Sequence, residues 1–296
     1  MRATDATLSL ALRSSQGGQH VVTLPEGAEL TRIAVDGSEQ PLRQEERRVS
    51  IPLAPGSRAV ELAWREPAGI GAWLRAPEVD LGLPSVNANV EIEVPPSRWV
   101  LLVGGPRLGP SVLFWPMLLV VAALAAALAR TGLTPLRTRH WLGLGVGLTQ
   151  APLAAAALVV VWLLGLGWRG RLSEPERAGS APGFNALQAL LAALTLAALG
   201  ALVLAIRMGL LGTPEMQIAG NGSEYGVLRW YQDRSAALLP RPWALSVSLW
   251  FYRGAMLAWA LWMAQALLLR WLPWGFAQWS RGGIWRRRGA VVGASR

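Results

Sequence analysis

Two runs in this 296-residue chain decide most of what it can become: PSVLFWPMLLVVAALAAALA (110–129) and NALQALLAALTLAALGALVLA (from 185), neither with a single charge. A helix of about 20 residues crosses the roughly 30 Å hydrocarbon layer of a bilayer, where its backbone must be satisfied internally. Segments 142–166 and 244–269 are nearly as apolar. The expectation is a four-helix transmembrane bundle, with spans at about 110–129, 142–166, 185–206 and 244–269.

Charge divides the chain. Residues 1–100 carry ten Arg against thirteen acids, whereas 101–296 carry eighteen Arg against five. A net charge of +10 in a soluble protein would suggest nucleic acid. Here the excess flanks apolar spans, where Arg sits among lipid headgroups. The expected partner is therefore the bilayer, and nucleic-acid binding is set aside. Trp99, Trp115, Trp141, Trp168, Trp243, Trp271 and Trp274 fall near the expected span ends as an aromatic belt would. Arg107, Arg130, Arg169, Arg207 and Arg270 mark the same boundaries. Pro116 and Pro152 lie inside spans and are expected to kink them, while Gly143, Gly145 and Gly147 permit close helix packing. The chain has no cysteine, hence no disulfide framework and no thiolate nucleophile.

Residues 1–100 alternate with period two, as half-buried strands do. Leu8, Leu10 and Leu12 share one face, as do Val49, Ile51 and Leu53; Val60, Leu62 and Trp64; and Ala88, Val90, Ile92 and Val94. Asp36-Gly37 is a two-residue hairpin signal, since both central positions of a type I′ turn need positive φ. Seven or eight short strands suggest an antiparallel β-sandwich. The fold class expected is thus α+β: a sandwich over 1–100, a hinge at 101–109 in LLVGGPRLGP, a transmembrane domain over 110–279 and a basic tail over 280–296.

Orientation pulls two ways. Four spans put both termini on one side and the loops 130–141 and 207–243 on the other. Arg286, Arg287 and Arg288 favour a cytoplasmic tail, but a tethered sandwich is more commonly exported.

Chemistry-bearing groups are few. Arg253 stands inside the fourth span, roughly 15 Å from Trp243 at 1.5 Å per residue. It reads either as a snorkelling cation or, if buried, as part of an anion-tolerant path. Its candidate acceptors are Thr149, Gln150, Gln188, carbonyls freed by Pro152, or Asp233. The stretch GNGSEYGVLRWYQDRS (220–235) reads as an amphipathic interfacial segment. If helical, it would pair Arg229 with Asp233 and Leu228 with Tyr231. Arg229, Trp230, Tyr231, Asp233, Arg234 and Arg253 form the candidate interaction or structural site. His140, flanked by Arg137 and Arg139, is the nearest approach to an enzyme site at a membrane face. No acid, base, nucleophile or metal-ligand set converges, so no catalytic residue, cofactor or metal is assigned.

The strings SSQGGQHVVTLPEGAEL, VDLGLPSVNANVEIEVPPSRWVLLVGGPRLGP, TPLRTRHWLGLGVGLTQ and LRWYQDRS together resemble the C-terminal portion of a group of large, uncharacterised proteobacterial envelope proteins. In that group an exported β-rich region leads into C-terminal membrane spans. The resemblance implies that this chain is the tail of a longer protein, that residues 1–100 face the periplasm, and that the spans lie in the inner membrane. It carries over no activity. The expected function is a multi-pass inner-membrane envelope protein without catalysis, coupling a periplasmic sandwich to the membrane and binding another membrane or envelope protein. A transporter or channel component using Arg253 is the alternative.

Overall fold

The computed structural model describes residues 3–172 and 181–286. The chain is α+β and divides into a β unit, Met1–Leu113 with Met216–Ser248, and a helical unit, Phe114–Glu215 with Leu249–Arg296. Much of the expected tail, including Arg287 and Arg288, lies outside the described residues.

The period-two alternation of the first third becomes antiparallel strands: β1 (Thr4–Ser14), β2 (Gly18–Thr23), β3 (Glu29–Val35), β4 (Ser38–Glu39), β5 (Gln44–Glu45), β6 (Arg48–Leu53) and β7 (Gly56–Glu66). They form two sheets, β1-β7-β3-β4 and β2-β6-β5. One core joins the sheets. Val22, Val49 and Ile51 come from one, and Ile33, Val60, Leu62 and Trp64 from the other, none more than 2% exposed. Two layers facing a shared core are what strands with one apolar face require.

The Asp36-Gly37 turn forms as its sequence demands, with φ of 50° and 79° and with Val35 opposite Ser38. Arg58 Nη1 donates to Asp36 Oδ2 at 2.6 Å, and the Ala59 N–H donates to Oδ1 at 2.9 Å. These two donors, Arg58 first, hold the Asp36 carboxyl below its ordinary range. A depressed carboxylate contributes stability above its unfolded pKa, and that stability is lost as pH falls through the folded value. The thermal advantage of the native chain over Asp36→Asn is therefore expected at pH 7 and should vanish on acidification below about pH 4. A difference independent of pH in melting curves would refute this role.

The rest of the β unit needs a segment from much later in the chain. β8 (Trp73–Arg75), β9 (Ser85–Glu93), β10 (Arg98–Gly104) and β11 (Ser111–Val112) are joined by β12 (Ile218–Ala219), β13 (Val227–Ser235) and β14 (Trp243–Ser248). β13 pairs along β9 from Val227↔Glu93 to Ser235↔Ser85. β14 lies between β10 and β8. Four expectations are corrected here. Residues 227–235 form a strand, not an amphipathic helix. Residues 207–243 do not face the side opposite residues 1–100, because strands bonded to one another share a side of any membrane. The first four residues of the supposed hinge, 101–104, are the end of strand β10. The fourth span starts late, since Trp243–Ser248 is β14.

The helical unit contains α1 (Phe114–Arg130), α2 (Thr138–Leu148), α3 (Leu153–Arg171), α4 (Ala181–Leu211) and α5 (Leu249–Ala266). A π-helical turn, Leu267–Trp271, continues α5 into α6 (Leu272–Trp279). Among the described residues three stretches are long and apolar enough to cross a bilayer: Leu153–Arg171, Pro182–Leu211 and Leu249–Trp279; α1 is a shorter apolar helix. The second expected span is in fact two helices. Pro152, with ψ of 142°, is extended and serves as the N-cap of α3, so it starts a helix instead of kinking one. Pro116 sits in the first turn of α1, where its missing N–H costs nothing. Trp141 and Trp271 are not belt residues, being 3% and 2% exposed in the helical core.

Contacts inside the helical unit order the helix ends. At one end Gln150 Oε1 accepts from the Glu215 N–H at 2.9 Å and from the Tyr252 hydroxyl at 3.2 Å. This joins the α2–α3 connection to the end of α4 and the start of α5. At the other end Arg171 donates to the Gly132 carbonyl, and Gln188 Nε2 donates to the carbonyls of Trp279 at 3.0 Å and Gly283 at 3.1 Å. Among the described residues, α1, α2, α3, α4 and α5–α6 run between these two ends in alternating directions. The central position of α2 depends on glycine. A Cβ at Gly143 would stand 2.8 Å from Trp262, at Gly145 2.6 Å from Val121, and at Gly147 1.9 Å from Trp259.

Candidate functional site

The residues singled out from the sequence separate into two places. Five of the six lie on β13, where alternation sends Leu228 and Trp230 inward and Arg229 outward, and where Asp233 and Arg234, next to each other near the strand's end, are both exposed. Trp230 is 1% exposed and packs with Leu74, Val94, Val100, Leu228 and Ala244. It is the anchor of this core and not a headgroup-layer residue.

The glycines of LLVGGPRLGP explain themselves through that indole. A Cβ at Gly109 would stand 2.2 Å from Trp230 Cδ1, and one at Gly105 would stand 2.7 Å from Pro242 Cβ and 3.1 Å from Trp230 Nε1. Gly105, at φ of 147°, also adopts a backbone that only glycine takes readily. The segment is a tight seat for an aromatic ring.

The outward residues of β13 are satisfied locally. Arg229 Nε donates to Glu91 Oε2 at 2.9 Å, and Arg229 Nη1 donates to the Gly222 carbonyl at 3.1 Å. The Tyr231 hydroxyl donates to Asn87 Oδ1 at 2.7 Å, while the Tyr231 N–H donates to the Leu108 carbonyl at 2.7 Å. Asp233 lies 4.0 Å from its neighbour Arg234, both strongly exposed. The expected Arg229–Asp233 pair does not form, because residues four apart on a strand do not meet as they do on a helix. Exposed ion pairs of this kind contribute about 0–1 kcal/mol each. They fix the register of β13 on β9 more than they stabilise it.

Arg253, the sixth residue, belongs to the helical unit. Because α5 begins at Leu249, Arg253 stands about 6 Å into the helix and not the 15 Å expected from a span beginning near Trp243. Its guanidinium carbon lies 5.2 Å from the centre of the Trp250 ring. A cation near a helix end, stacked on a ring that is itself 74% exposed, suits an interfacial position. Gln150 and Thr149, two of its suggested acceptors, are instead bonded to each other, with Gln150 also holding Glu215 and Tyr252.

A third place went largely unread in the sequence. Arg139 and His140 from the start of α2 meet Trp262, Gln265, Leu269, Arg270 and Trp271 around a cleft of about 470 Å³. In the sequence His140 stands out beside Arg137 and Arg139, but Arg270 marks only a span boundary. Joining them requires α2 to run antiparallel to α5, and no local pattern declares that. At the same end Arg169 is 1% exposed, donates through Nη2 to the Arg281 carbonyl at 2.9 Å, and lies 5.2 Å from the centre of the Phe184 ring. Among the described residues no group of three or more His, Cys, Asp or Glu side chains gathers as a metal site would.

Comparison with protein-family models, with curated proteins and with solved structures finds no match for this chain.

Proposed function

We infer that this chain is a multi-pass protein of the bacterial inner membrane. Its β unit faces the periplasm as a non-catalytic interaction module for another envelope protein, and its helical unit anchors that module. The observation that carries the reading is the return of Met216–Ser248 to complete the β unit. A chain that leaves that unit at Leu113 and re-enters it at Met216 must cross an even number of times in between, and the four helices α1–α4 supply that number. The single pass through α5 and α6 then leaves the C-terminal end on the opposite side.

This arithmetic removes the conflict over orientation. Among the described residues, Arg130, Arg137, Arg139, Arg169, Arg171, Arg270, Arg281 and Arg286 cluster toward one end of the helical unit, and Arg207 and Arg253 lie toward the other. The positive-inside rule assigns the crowded end to the cytoplasm. The β unit is then exported and the tail cytoplasmic, as each separate argument requires. Exposed rings lie toward both ends, with Trp115 and Trp250 at one and Trp168 and Phe276 at the other, as an aromatic belt would have them. α2, with 11 residues, is short for a crossing, yet its connection to α3 is held by Gln150. Irregular backbone at depth is tolerated where protein covers it.

The absence of native cysteine makes the test free of background. Ser38→Cys and Ser223→Cys are expected to label with an impermeant maleimide in intact cells whose outer membrane has been permeabilised, and Ile284→Cys only after lysis. Opposite behaviour of Ser38→Cys and Ser223→Cys would contradict the pairing of β13 with β9. Labelling of all three in intact cells would refute the odd number of crossings.

A further inference from the structure

We propose that the cleft between the start of α2 and the π turn after α5 is a binding site for the phosphate headgroup of an anionic membrane lipid, with the acyl chains lying along the outer face of α5. The site is built from Arg139, His140, Gln265 and Arg270 as polar groups and from Trp262, Leu269 and Trp271 as walls.

Charge is the first argument. Among the described residues of the helical unit the sole carboxylate is Glu215, and it lies at the opposite end beside Gln150. Arg139 and Arg270 thus face each other across the cleft with no described acid of their own unit to balance them. Arg139 and Arg270 are both solvent-exposed on the lining of this open cleft, where phosphate can accept their paired N–H donors. Basic pockets between membrane helices on the cytoplasmic side are suited to such headgroups.

Histidine geometry is the second. His140 Nδ1 accepts the Arg137 backbone N–H at 3.2 Å. The neutral ring then carries its proton on Nε2, which is left as a donor for a phosphate oxygen.

Helix geometry is the third. Trp262 and Trp271 are nine residues apart, and at 100° per residue a regular α-helix would place them on opposite faces. Their ring centroids nevertheless lie 6.0 Å apart, edge to face. The π turn at Leu267–Trp271, wider than an α-helical turn, lies between them and changes the angle through which the helix brings Trp271 round. Such insertions into α-helices are frequent at functional positions. Here it sets Arg270 and Trp271 on the wall of one cleft. Beyond the cleft Leu261 and Leu268 are 64% and 63% exposed and continue the apolar surface that acyl chains would follow.

The test uses the full chain in neutral detergent, titrated with phosphatidylglycerol, phosphatidylcholine or inorganic phosphate while thermal unfolding is followed. Phosphatidylglycerol is expected to raise Tm in a saturable way, because a ligand bound only by the folded state stabilises it. Phosphatidylcholine and inorganic phosphate should have little effect at equal concentration. Arg139→Gln and Arg270→Gln should each weaken the apparent Kd about tenfold. The double variant should lose the shift, and Arg253→Gln should retain it. Were the double variant not to fold, the two single changes would decide the matter. An undiminished shift in either single variant, or equal shifts from the two phospholipids, would overturn the proposal. If inorganic phosphate alone matched phosphatidylglycerol, the anion site would stand and the lipid assignment would fall.

Discussion

Trp230→Ala is expected to destabilise the β unit by about 3–5 kcal/mol, the usual range for deleting a buried Trp. In a unit of this size that lowers Tm by about 10 °C. The indole is 1% exposed and lies among residues from β8, β10, β13 and β14. Its loss opens a cavity where the early and late parts of the chain meet, so the effect should not be confined to β13. Met216–Ser248 should become the first site of proteolysis, since local opening follows the loss of buried contacts. Gly109→Val attacks the same seat from the other side. With a Cβ 2.2 Å from Trp230 Cδ1, the indole must move or the backbone must shift, and a similar loss is expected by overpacking. Denaturation of the full chain in detergent, with limited proteolysis, measures both. A Trp230→Ala protein that melted within about 2 °C of the native chain would show that this ring does not join the two segments.

Gly147→Ala is expected to cost the helical unit about 2–5 kcal/mol, from overpacking plus an orphaned buried donor. A methyl group there would stand 1.9 Å from Trp259 Cε2 and 2.1 Å from Cζ2. The ring must retreat by more than 1 Å to reach ordinary contact near 3.5–4.0 Å. Retreat breaks the hydrogen bond from Trp259 Nε1 to the Gly143 carbonyl, now 2.7 Å. The two losses are coupled, so the change should cost far less in a Trp259→Leu background. Additive effects in that double-variant cycle would rule out the clash as the cause. Gly143 and Gly145 make the matching approaches to Trp262 and Val121. The spacing of glycines along α2 is therefore the means by which an 11-residue helix fits between α1 and α5.

How much of this could be read from residues alone differs between the two units. In β1–β7 nearly everything was legible. Val49 and Ile51, or Val60, Leu62 and Trp64, declare their shared face by spacing, and Asp36-Gly37 declares its turn through the positive φ it needs. Both signals are local, and local rules decided the outcome. The VLRWYQDRS stretch failed for the opposite reason. Its order of apolar and charged residues satisfies a helix and a strand alike, and the partner that resolves the ambiguity, Glu91 for Arg229, lies 138 positions away. Ala244–Ser248 failed similarly: the segment is apolar enough to extend a span, yet it is claimed by β10 and β8. Pro152 was recognised as an interruption, but whether it bends a helix or starts a new one turns on where Gln150 finds its partners. That choice turns one expected helix into the two helices α2 and α3.

Residues alone declare a strand-forming first third and the long apolar runs that become helices, because hydrophobic periodicity and charge-free length act within one segment at a time. They also declare where the cations accumulate. Tertiary contacts alone show that the segment between α4 and α5 belongs to the β unit, that the second apolar stretch is two helices running in opposite directions, and that Arg139, His140 and Arg270 line one cleft. Each of these depends on which distant segments pair, and pairing is settled by complementary surfaces that neither partner encodes alone.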